Sequence, residues 1–138
     1  MNPTAVRSPQ LEAESWPELK GFDTAAVRQC CGDSIQVLGL LLGMLQKSYS
    51  AWRVTWLEAA QASTALDTTA LCASLHKLRG SASTMGAFHL AQVAGEAESS
   101  LRQHQEPPPD AVQRVGAVLD ELLAHANAWQ VDALARRG

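Results

Sequence analysis

An all-helical fold, an antiparallel four-helix bundle preceded by one or two short helices, is what this sequence predicts. Three observations lead there. Apolar residues recur at three- and four-residue steps through several segments of helical length. Short runs rich in Asp, Ser, Gly or Pro separate those segments, and no stretch alternates apolar with polar residues as a strand would. At 138 residues the chain suits one domain around a single core.

Residues 1–19 carry Pro3, Pro9 and Pro17 with little periodicity, and are read as an N-terminal tail or linker; the bundle is expected over 20–136. A short helix is expected from Thr24 to Cys31, closed by Gly32. Asp33 or Ser34 then caps a long helix to about Ala62, anchored by Trp52 and Trp56 one turn apart. Asp67 caps the next helix, which runs to about Thr84 with Gly86 near its end. Ala87, Leu90, Ala94, Ala97 and Leu101 form the stripe of a further helix, and their small size lets a neighbour approach closely. Pro107, Pro108 and Pro109 break the chain, after which Val112, Val115, Leu119, Leu122, Ala126 and Trp129 mark a last helix.

The helix after Asp67 carries the most informative residues. Leu71, Leu75, Leu78, Ala82 and Met85 fall within an arc of roughly 80° and must face a core. His76 projects roughly 140° from Leu71, toward water, with Lys77, Gly80 and Ser83 on its side. An exposed mid-helix glycine costs about 1 kcal/mol relative to alanine. Gly80, one turn beyond His76, therefore asks for a compensating reason, and clearance for a bulky partner over the imidazole is one. Arg79, three residues on, can reach along the same flank with a guanidinium suited to phosphate oxygens, or simply lie over the core edge. Imidazole is nucleophilic when neutral, and in-line phosphoryl transfer asks a protein mainly for positioning and charge stabilisation. His76 as nucleophile, Arg79 as charge clamp and Gly80 as access form that constellation. Lys77 and Ser83 are candidates for support, with a solvated charge and a merely small residue as their plainer readings.

From His76 to Ala87 the sequence matches a histidine, any residue, leucine, a cation, glycine, small residues and a closing Gly86-Ala87. In this it resembles the histidine phosphotransfer (HPt) domains of bacterial multistep phosphorelays. Gly21-Phe22-Asp23, Gly32-Asp33 and the helix from Ile35 look like the family's opening segments, and Leu90, Ala94 and Glu98 look like its next helix, so the likeness runs from Gly21 to Leu134. The family's usual lysine after the histidine is Arg79 here, which keeps the charge and changes the donor geometry. The resemblance implies that His76, through Nε2, accepts a phosphoryl group from a receiver-domain aspartyl phosphate and passes it to the aspartate of another response regulator. It also implies receiver domains of response regulators or hybrid sensor kinases as partners, Mg²⁺ held by the receiver and no cofactor or metal of the chain's own, a monomer, and no ATP-dependent kinase activity. The chain could equally be the C-terminal domain of a hybrid sensor kinase.

Other classes fit less well. A formal charge of −3 with no basic run argues against nucleic acid. Ile35 to Leu45, the most apolar stretch, is too short for a bilayer and is interrupted by Gln36, Gly39 and Gly43; no secretory signal opens the chain. Three cysteines, Cys30 and Cys31 adjacent, make a poor disulfide framework, so a reducing cytoplasm is expected. Di-iron bundles place a glutamate three residues before a histidine, and none of the four histidines has one. No P-loop or kinase motif is present. His89, His104 and His125 are read as surface or structural. A receiver-binding adaptor that carries no phosphate is the alternative function.

Overall fold

A computed structural model describes residues 16–62 and 67–137, and among them every regular element is a helix. In chain order these are α1 (Thr24–Cys30), α2 (Ile35–Tyr49), α3 (Trp52–Gln61), α4 (Thr68–Thr84), α5 (Phe88–Arg102) and α6 (Pro108–Arg137). The pairing of side chains shows how they run. Tyr49 meets Ser81 and Trp52 meets Ser74, so α2 and α3 oppose α4. Arg53 reaches Asp120, Gln46 bonds the carbonyl of Leu123 and Gln130 bonds that of Gly39, so α6 opposes α2 and α3 in turn. With α5 folded back on α4, this is an up-down-up-down bundle to which α1 is added at one end.

Each sequence stripe faces the core. Leu71, Leu75, Leu78 and Ala82 of α4, with Met85 just past its end, are buried in one core with Leu90, Ala94, Ala97 and Leu101 of α5 and Val112, Val115, Leu119, Leu122 and Ala126 of α6. Caps fall at Ser34 and Asp67, as expected, and also at Asp23, which the sequence reading did not single out. Asp23 accepts from the amide of Ala26, Ser34 from that of Val37 and Asp67 from that of Thr69.

Three details differ from the sequence reading. The long helix expected to reach Ala62 is interrupted at Ser50 and Ala51. Tyr49 and Trp52 are both buried, and they bond serines seven residues apart on α4, about 10 Å along its axis, whereas three residues of unbroken helix would advance them only about 4.5 Å. The proline run does not precede the last helix but opens it: Pro108 and Pro109 occupy the first turn, where their missing amide hydrogens would have had no partner. Finally, residues 16–19, read as the end of the tail, reach the core, with Trp16 and Leu19 buried and Arg28 stacked 5.2 Å over the Trp16 ring. The rest of that tail, residues 1–15, lies outside the described residues.

The turn that follows α4 sets the position of everything beyond it. Gly86 has φ +78°, the amide of Ala87 bonds the carbonyl of Ala82 and that of Gly86 bonds Ser83, a left-handed helix closure. A β-carbon at Gly86 would lie 2.8 Å from the side chain of Ala26 and 3.0 Å from the carbonyl of Asp23, whose amide in turn bonds the carbonyl of Gly86 at 2.7 Å. Gly86→Ala is therefore expected to lower stability by about 1–3 kcal/mol, read from the midpoint of urea unfolding; an unchanged midpoint would contradict the close approach of α1 to this turn.

Candidate functional site

His76 stands on the outer flank of α4 with its side chain 63% exposed. The residues that place it are those behind it. Leu75 and Leu78 are buried in the core, and Tyr49 and Trp52 bond Ser81 and Ser74, so the helix is held from its inner side. Gly80, one turn on, has open space where a β-carbon would be, which leaves the surface beside the imidazole clear. Its carbonyl is taken by the hydroxyl of Thr84 at 3.0 Å.

The inner edge of the imidazole is engaged. Nδ1 lies 3.3 Å from Nη2 of Arg79 and 3.5 Å from Oε2 of Glu98 on α5. Glu98 is the only charged residue in the core set among the described residues, its side chain 7% exposed, and it sits where α4 and α5 meet. Three basic groups converge on it: Arg102 donates to Oε2 at 2.8 Å, Arg79 Nη1 lies 3.9 Å from Oε1, and His76 completes the set. A buried carboxylate needs such partners, because burial without them is costly. The guanidinium–carboxylate pairs keep their outer faces in water, which limits what each is worth.

This arrangement has a chemical consequence. A carboxylate can accept a bond from Nδ1–H but can give none, so Glu98 favours the ring form with its proton on Nδ1. The lone pair is then on Nε2, at the edge of the ring turned away from Nδ1 and its partners. Arg79 can bond Nδ1 only in the opposite tautomer, and with Nδ1 protonated it remains beside Glu98 instead.

Of the residues singled out from sequence, the fold brings His76 and Arg79 into direct contact and leaves Gly80 open beside them. Lys77 and Ser83 are exposed on α4. Glu98 and Arg102 were not recognised as part of the site. Their signal was a carboxylate on the flank of the Leu90–Leu101 stripe with an arginine four residues later. Sequence saw only cations around His76; the carboxylate arrives from another helix. Cys72, one turn before His76, is buried, and burial pushes its thiol up against the pull of Arg102, with Glu98 adding to the rise. It is a packed thiol and not a ready thiolate. Among the described residues no cluster of His, Cys, Asp and Glu could hold a metal ion.

Removing only the charge of Glu98 should be felt where a surface glutamate is not. Glu98→Gln is expected to cost about 1 kcal/mol in urea unfolding, while Glu96→Gln, whose side chain is 56% exposed, should change little. Equal effects of the two would remove Glu98 from its place at the centre of the network.

In comparison with known proteins, the model of the Hpt domain family matches residues 27–129, which takes in α2 to α5 entire and most of α6. No curated protein and no solved structure matches the chain.

Proposed function

The chain belongs to the Hpt domain family, phosphocarriers of phosphorelays that interact with receiver domains and are not themselves kinases, and on that premise we propose that His76 is its phosphoacceptor. No helix among the described residues is long and apolar enough to cross a membrane. The observation that carries the assignment is the setting of His76: an exposed imidazole with Nδ1 turned to a buried carboxylate and open surface beside it at Gly80. The family match supports it, since His76 lies within the matched span.

In this reading a receiver domain docks over α4 and α5 and presents an aspartyl phosphate in line with Nε2. The Nε2–P bond forms as the acyl-phosphate O–P bond breaks, and the aspartate leaves as a carboxylate with the bonding electron pair. No proton need move during that step. The ring keeps its Nδ1 proton and takes up positive charge, which Glu98 faces at 3.5 Å and stabilises. Arg79 supplies positive charge on the Glu98 side of the ring, with a planar donor fork in place of the family's usual ammonium. Lys77 and Ser83 would act at the edge of the docked receiver. The same steps in reverse deliver the group to a second receiver. Mg²⁺ belongs to the receiver in this reading, the chain acts as a monomer in the cytoplasm, and residues 20–136 form the working domain.

The test is incubation with receiver domains phosphorylated by acetyl phosphate, following transfer of label to this chain. Wild type should gain acid-labile label, and His76→Gln should fold as wild type and gain none; label retained on that variant overturns the assignment. Receiver binding with no label on wild type would favour the non-carrying adaptor. Gly80→Gln should fold with unchanged or slightly raised stability, since an exposed glycine in a helix costs about 1 kcal/mol, yet transfer to it should be slowed roughly tenfold or more because the side chain enters the docking space. Unchanged transfer there would refute the role of clearance.

A further inference from the structure

We infer that Gly95 on α5 is a positioning residue for phosphoryl transfer, acting through Arg79, and this rests on the reading of His76 as the acceptor. Gly95 lies in the middle of α5, where glycine is less favourable than alanine, and it belongs to the flank of that helix occupied by Ala91, Glu98 and Arg102. What it makes room for is visible. A β-carbon at Gly95 would meet Cδ of Arg79 at 3.1 Å and Nη1 at 3.7 Å, so the stem of Arg79 crosses bare backbone on its way to the site. Its guanidinium then has Nη2 3.3 Å from Nδ1 of His76 and Nη1 3.9 Å from Oε1 of Glu98.

The placement depends on that bare surface. Arg79 starts on α4 and must lie low across the groove between α4 and α5 to reach both the imidazole and the carboxylate. A methyl group at position 95 is tighter than ordinary contact and lifts the stem by a few tenths of an ångström, and the planar guanidinium it carries is shifted relative to both the Glu98 carboxylate and the imidazole edge beside it. Position 95 and position 79 therefore form a coupled pair: an arginine at 79 needs glycine opposite. Gly95 touches no reacting atom, and its effect is on where the cation sits.

Four proteins test this: wild type, Gly95→Ala, Arg79→Ala and the double variant, each with its urea midpoint, its rate of labelling by an acetyl-phosphate-charged receiver domain, and the ¹⁵N shifts of the His76 ring. Gly95→Ala should be at least as stable as wild type and yet accept label roughly three- to tenfold more slowly. Its His76 Nδ1 shift should move, and in the Arg79→Ala background the same substitution should alter neither rate nor shift. Label on wild type with an equal rate in Gly95→Ala overturns the inference and leaves the acceptor assignment standing. A slowed rate that persists without Arg79 also overturns it, because position 95 would then act on docking directly. Absence of label on wild type overturns the acceptor assignment instead, and the ring shifts alone then decide the coupling: the same movement in both backgrounds, or in neither, refutes it.

Discussion

One carboxylate organises the face of this bundle that carries His76. Glu98 is withdrawn from water at the seam of α4 and α5, and a charge in that position is tolerable only if cations come to it. They come from both helices, Arg79 from α4 and Arg102 from its own, and the imidazole of His76 on α4 completes the set. The requirement is geometric as well as electrostatic: the helices must be close, and the alanines at 82, 87, 91, 94 and 97 allow it. Larger side chains along this seam would push the helices apart and separate the four groups. The chemistry of the face is thus tied to the volume of residues that carry no chemistry.

The same constraint explains how the exposed ring is oriented. An imidazole on a helix surface turns freely unless one edge is held. Here Nδ1 is drawn inward by an acceptor that is itself fixed by a short bond to Arg102, so the ring is steered by a group two helices share. Arg79 takes the place that remains, over the bare backbone of α5.

Much of this was legible before the structure. Periodicity placed the core stripes of α4, α5 and α6, because burial of one helical face is a local property repeated every three to four residues, and Ser34 and Asp67 declared two helix starts through their own short-range bonds. His76, Arg79 and Gly80 were visible because they sit within five residues of one another on one helix. Glu98, Arg102 and Gly95 were not, since their meaning lies in contacts across the groove to α4 that no local spacing encodes. The break at Ser50 and Ala51 was missed because nothing in the local sequence forbids helix there. Trp16 and Leu19, among prolines and polar residues, gave no periodic signal, and their burial comes from tertiary contact.

The two aromatic bonds behind the site carry a further consequence. Tyr49 and Trp52 latch α4 at two points, Ser81 and Ser74, on the side away from His76. A helix pinned twice along its back cannot ratchet by a turn or roll without breaking both latches, and each broken latch would strand a polar atom in a half-buried place. The imidazole is therefore presented as a fixed post, and any adaptation on encounter falls to the visitor. Whatever meets this face meets the same geometry each time, because the post keeps no trace of an earlier encounter.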